Sequence, residues 1–106
     1  MRNDRGFFCL PELALKVAIP RAMMELLRLK LRDDVLRDLL LTGRRVGGDE
    51  AARLGIIDAA CPLAEVAGCA ETLLAPHAGH DRETLGALKR ELNRSFLDAA
   101  KLDNHN

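Results

Sequence analysis

The sequence has no tryptophan and no tyrosine, and its only aromatics are three phenylalanines. That removes the stacking platforms on which single-stranded nucleic-acid binders rely. Net charge is also missing: sixteen Lys and Arg offset sixteen Asp and Glu. Without a positive field, no long-range pull on a polyanion is expected, and so no nucleic-acid partner. No apolar run reaches the roughly eighteen residues of a spanning helix, so no membrane partner is expected either. The opening residues, MRNDRGFFCLPE, lack the long apolar region of a signal peptide. Cysteine is sparse: Cys9, Cys61 and Cys69 are odd in number and show no Cys-x-x-Cys spacing. They suit a reducing compartment and inert thiols. His77 and His80 share a Pro-His-Ala-Gly-His loop with no Cys or carboxylate cluster beside them, so no metal is expected.

What is there is one domain's worth of chain, 106 residues at 48% hydrophobic content. A chain of that size can bury roughly 60–70% of its unfolded surface. One stretch stands out: Gly6 to Pro20, GFFCLPELALKVAIP, is apolar but for Glu12 and Lys16. A carboxylate among Phe7, Phe8, Leu10, Leu13 and Leu15 is costly to desolvate, so it is either paired or kept for chemistry. Pairing is available, because on a helix Glu12 and Lys16 are i,i+4 neighbours in the favourable order. Both readings stay open at this point.

Gly6–Leu10 reads as a short buried strand ending at Pro11. After Pro20 the period turns helical, with Met23, Leu26, Leu27 and Leu31 on one face and Arg21, Arg28, Lys30 and Arg32 mostly elsewhere. Asp33 and Asp34 suit the cap of a second helix on Val35, Leu36, Leu39 and Leu40, and Gly43 is its stop. A third short helix starts near Gly48 or Asp49 and ends at Gly55, followed by an extended Ile56–Ala60. A fourth runs from Pro62 to Pro76. A fifth, capped by Asp81, carries Leu85, Leu88, Leu92 and Phe96. From Lys101 the pattern stops and fraying is expected.

Within this frame, Leu41-Thr42-Gly43-Arg44-Arg45-Val46, Asp49-Glu50-Ala51-Ala52 and Leu54-Gly55-Ile56-Ile57-Asp58 resemble a signature of the crotonase (enoyl-CoA hydratase/isomerase) superfamily. Physically the signature is helix, glycine stop, short link, helix, glycine stop, extended segment. The stretch Met1 to Glu12 is similar to plant-type peroxisomal enoyl-CoA delta isomerases. The resemblance implies a mostly α chain: the C-terminal helical part of a crotonase-like ββα spiral, with a short strand at the N-terminus. Residues 1–97 would be that portion of the domain and 98–106 a disordered tail, with Met1 an internal Met of a longer parent.

By the same resemblance Glu12 is the catalytic acid/base, and Lys89 sits where relatives carry a Lys near the CoA phosphates. Acyl-CoA is then the substrate partner, no further cofactor is implied, and a homo-oligomer of trimer type is the family's habit. The implied reaction turns 3-enoyl-CoA into trans-2-enoyl-CoA in fatty-acid beta-oxidation, one carboxylate making both proton transfers. Two backbone N–H donors must stabilise the enolate, and in the family they lie in the half this chain lacks. The chain is therefore expected to be inactive alone. The alternatives are a non-catalytic helical module that binds a sister chain, or a hydratase-like fragment. Relatives commonly have Gly where this chain has Lys16. A positive φ there would strain a side chain, and a Lys16–Glu12 contact would weaken the base. Peroxisomal residence follows from the resemblance. Ala100-Lys101-Leu102 looks like a peroxisomal address but is followed by four residues, which leaves the cytoplasm as the alternative.

Overall fold

The computed structural model describes residues 1–104 and is mostly helical. Among the described residues seven α-helices follow one another: α1 (Glu12–Leu15), α2 (Arg21–Lys30), α3 (Asp33–Thr42), α4 (Gly48–Arg53), α5 (Val66–Leu74), α6 (Arg82–Leu92) and α7 (Arg94–Asn104). Single 3₁₀ turns at Leu63–Glu65 and Ala75–His77 flank α5. The mostly α architecture that was expected is what the described residues adopt.

Five expectations are corrected. Gly6–Leu10 is not a strand but a one-rung pairing, in which Phe8 and Val46 exchange two backbone hydrogen bonds of 2.8 Å. A strand needs a ladder, and here only one rung of partner backbone lies alongside. Nor is the segment buried throughout: Phe7 is exposed, Phe8 and Cys9 are half-buried, and only Leu10 is fully buried, with Phe8 packed against the same core. Second, Asp33 and Asp34 do not cap α3. They fall in its first turn after Arg32, their carboxylates pairing with Arg37 and Arg32 instead. Third, of the expected extended piece Ile56–Ala60, Ile56, Ile57 and Asp58 form bends and Ala59 and Ala60 no regular element. Fourth, the fifth predicted helix breaks at Asn93, so Phe96 belongs to α7.

That last helix replaces the disordered tail expected from residue 98. α7 packs along α2, buries Ala99, and the Asp103 carboxylate accepts a 3.0 Å hydrogen bond from the Ala22 amide in the first turn of α2. Partners across 81 residues of sequence supply the order that local periodicity did not. The expected tail residues His105 and Asn106 lie outside the described residues.

The core gathers Leu27 from α2, Leu31 just after it, Val35, Leu36 and Leu39 from α3, Val46, Ala51 and the incoming Leu10. The signature residues organise this region. Gly43 ends α3 in the left-handed conformation, φ 67°, its amide reaching the Leu39 carbonyl at 2.9 Å. At Gly48 the reason is space: a Cβ would sit 2.5 Å from the Arg2 carbonyl oxygen. The N-terminal segment thus crosses directly over α4. It is held further by Asn3 and Cys61, whose amides bond the Cys61 and Met1 carbonyls at 3.0 and 3.1 Å. Arg44 ties the end of α3 to α4, bonding Asp38 at 2.8 Å and Glu50 at 2.6 Å. All these contacts fix where Leu10 and Pro11 deliver the chain, and so where α1 begins.

The molecule is open for its size. Its radius of gyration is 16.1 Å, where a compact chain of this length has about 13 Å. Its accessible surface is 8014 Å², against about 5,900 Å² for a compact monomer of equal mass.

Candidate active-site segment around Glu12

Glu12 is the first residue of α1, the one-turn helix that follows Pro11 and packs against α3. The Leu15 amide bonds the Pro11 carbonyl at 3.0 Å, and the Val17 amide bonds the Glu12 carbonyl at 3.1 Å. Glu12 is half-buried as a residue, but its Oε2 is out of reach of solvent and has no hydrogen-bond partner. A buried carboxylate oxygen without a donor is a costly arrangement, of the kind found where a group is held for chemistry or for a missing neighbour.

Lys16 closes the same turn in the left-handed conformation, φ 58° and ψ 41°. Among the described residues it is the one non-glycine residue with positive φ. The i,i+4 pairing with Glu12 is not made: the ion pairs of the described residues are all of Arg with Asp or Glu, and Lys16 is exposed. The reason is geometric. A residue that leaves the helical φ/ψ region no longer projects its side chain along the i,i+4 row of that helix.

Lys89 is placed elsewhere. It lies on α6, whose neighbour is α7, while α1 neighbours α3. There it lines a groove of about 350 Å³ with Lys30 and Arg90 at its edge and Leu26, Phe96 and Leu97 among its apolar walls. Its backbone carbonyl accepts from the Asn93 side chain at 2.8 Å. The structure therefore does not bring the two predicted site residues together.

One contact escaped the sequence reading: the Arg45 guanidinium stands 4.4 Å from the centroid of the exposed Phe7 ring. Neither strand nor helix periodicity pairs those positions; they meet because the Phe8–Val46 rung lies between them. Cys61 is buried with its thiol pushed up, first by the neighbouring Cys69 thiol and then by burial, which keeps it in the unreactive form. His80 bonds the Pro76 carbonyl through Nε2 at 3.1 Å in an exposed loop. Among the described residues no three His, Cys, Asp or Glu converge as a metal site would need.

Comparison with known proteins shows what the chain is similar to. Over 106 aligned positions the chain is 31% identical to enoyl-CoA delta isomerase 1, peroxisomal, of Arabidopsis thaliana, an alignment covering 92% of this chain and 42% of that protein. The chain is homologous to the enoyl-CoA delta isomerases, of the crotonase superfamily. Two further isomerases of the same plant agree. Enoyl-CoA delta isomerase 2, peroxisomal, is 38% identical over 61 residues, and enoyl-CoA delta isomerase 3 is 36% identical over 61 residues. The chain spans less than half the length of the isomerases it matches. No family model matches, and no solved structure does.

Proposed function

We propose that this chain carries the acid/base portion of an enoyl-CoA delta isomerase of fatty-acid beta-oxidation, acting on 3-enoyl-CoA to give the trans-2-enoyl thioester. The observation that carries the reading is the solvent-shielded, unpartnered Oε2 of Glu12. In this role the Glu12 carboxylate takes a proton from the carbon next to the thioester carbonyl. It returns the proton two carbons further along as the double bond shifts. The intermediate enolate needs N–H donors, each worth about 3–4 kcal/mol. By family resemblance those belong to the portion of the isomerases that this chain does not span, so the chain is inactive alone. Neither a metal nor a cofactor beyond the acyl-CoA substrate enters this chemistry.

Lys89, Lys30 and Arg90 at the edge of one apolar groove supply the charge that CoA phosphates would meet. Peroxisomal residence rests on relatives whose own names carry that word.

The test joins this chain to the missing portion of the Arabidopsis isomerase 1 and assays 3-enoyl-CoA conversion. Activity in the joined protein, absent from the chain alone, is expected to fall about 10²–10⁴-fold in Glu12→Gln. Equal turnover in the variant would remove Glu12 from the mechanism.

A second reading, a helical module that binds a sister chain in a trimer-type assembly, draws on the exposed leucines of α5 and α6, Leu73, Leu74, Leu88 and Leu92. It predicts self-association of the chain alone without any turnover.

A further inference from the structure

Two thiols meet where the start of the chain is fastened. Cys61 is buried, and the Cys69 thiol on α5 lies within hydrogen-bond reach of it. Cys61 is also the clamp on the N-terminal segment: its carbonyl accepts from the Asn3 amide at 3.0 Å, and its amide donates to the Met1 carbonyl at 3.1 Å. Cys69 is reachable from outside. It is half-buried and lines an open cavity of about 650 Å³ with Glu65, Gly68, Thr72 and Leu73 among its neighbours. At Gly68 a Cβ would meet nothing within 4 Å, so the approach beside Cys69 is clear. We propose that Cys61 and Cys69 form a peroxide-responsive dithiol, in which Cys69 meets the oxidant and Cys61 resolves it to a disulfide tying the anchor of the N-terminal segment to α5. The inference stands apart from the isomerase reading, since it uses neither Glu12 nor an acyl-CoA.

The roles follow from access. Hydrogen peroxide is little larger than water, and a cavity of this size admits it. Cys61 is 7% exposed and does not line that cavity. The Cys69 thiol, ahead of burial, also holds the Cys61 thiol in its protonated form, so Cys61 is not the group that attacks peroxide. The Cys69 sulfur attacks one peroxide oxygen: the S–O bond forms, the O–O bond breaks, and the departing hydroxide leaves with the thiol proton as water. Cys61 is then the thiol beside a sulfenic acid. Its sulfur attacks that of Cys69, the S–S bond forms, the S–O bond breaks, and a second water carries off the Cys61 proton. The two sulfurs together lose two electrons, and the peroxide gains them. Cys9, the third cysteine, is not among the groups that act on Cys61.

The experiment treats the whole chain, as Cys9→Ser to exclude links between copies, with hydrogen peroxide as the probe. Trypsin releases both remaining cysteines in one peptide, 54–82. The disulfide reads as that peptide lighter by two hydrogens, its halves still joined after cleavage at Glu65. Adding Cys61→Ser is expected to stop the reaction at a Cys69 sulfenic acid, trapped by dimedone, and adding Cys69→Ser to leave Cys61 reduced at the same peroxide dose. Serine at a buried position can unsettle the fold, so a second measurement uses Cys9→Ser alone. In a glutathione redox buffer the Cys61–Cys69 disulfide is expected to be favoured at least about tenfold more in the folded chain than in urea. Oxidation is also expected to slow amide exchange at Asn3. A peptide of unchanged mass, or one heavier by oxygen without a disulfide, overturns the proposal. Equal disulfide equilibria with and without urea, or unchanged exchange at Asn3 in the oxidised chain, overturns it as well.

Discussion

Lys16 ends the turn that Glu12 begins, and it does so with φ 58°, the backbone of a glycine, without touching the carboxylate. What looks in sequence like a favourable ion pair is in space a strained corner beside a carboxylate oxygen with no partner. A Cβ in the left-handed region costs about 1–2 kcal/mol, part of which glycine gives back as unfolded-chain entropy. Lys16→Gly is therefore expected to raise stability by about 1 kcal/mol in urea unfolding, and Lys16→Ala to leave it flat. Equal gains in both variants would place the cost in the charge rather than in the backbone.

Gly48 supports the opposite prediction. A Cβ there meets the Arg2 carbonyl oxygen at 2.5 Å and the Asn3 Cα at 3.2 Å, both backbone atoms that cannot rotate away. Gly48→Ala should lower stability by about 1–3 kcal/mol through overpacking. Amide exchange at Asn3 and Phe8, which bond Cys61 and Val46, should speed up before that of α3 does. A variant that unfolds as one unit, with no early loss at those two amides, would contradict this account.

The acid limb of stability has an identifiable contributor at α6. The Asp81 carboxyl is held below its ordinary value first by the Thr84 hydroxyl and then by the Thr84 amide. A depressed carboxylate adds stability above its unfolded pKa, about 3.9, and that contribution disappears as pH falls through the lower folded value. Helix α6 should lose amide protection below about pH 4 in the parent. Asp81→Ala should show that loss already at neutral pH and flatten the acid dependence. Unchanged α6 protection in the variant would remove the cap from the explanation.

At the far end of the chain, Asp103 holds the Ala22 amide. Asp103→Ala removes an acceptor at the start of α2 and should cost about 0.5–2 kcal/mol. Asp103→Asn, which keeps an oxygen there, should cost less. Local exchange at Ala22 reads the effect directly, and no difference between the two variants would argue that α7 is held by Ala99 and its packing alone.

Much of this fold is visible in the residues. The helix over 21–30, the glycine stops at Gly43 and Gly55, and the Asp81 cap all follow from rules that act within four or five positions. The departures turn on partners that each residue's own pattern does not name. Asp33 and Asp34 look like caps, but Arg32 and Arg37 compete for their carboxylates. Gly6–Leu10 has a strand's composition, yet strandhood needs partner backbone and only Val46 supplies it. Residues 98–104 look like a tail because α2, which orders them, lies far back in the chain. At the candidate site, the type and place of Glu12 are legible. Its missing donor and the turned-away Lys16 are not, since both depend on a backbone angle at one residue.

The single rung between Phe8 and Val46 has a consequence for how the chain behaves in concentrated solution. Successive backbone groups on an extended segment face opposite ways, so bonding residue 8 to one side leaves those of residues 7 and 9 directed to the other. Among the described residues, neither the Phe7 nor the Cys9 amide has a backbone partner. This is an unfinished sheet margin beside an exposed Phe7, and a margin of that kind adds whatever strand reaches it first. Crowded with its own copies, the chain is expected to stack there, and a short extended peptide that hydrogen-bonds residues 7 and 9 is expected to suppress that stacking.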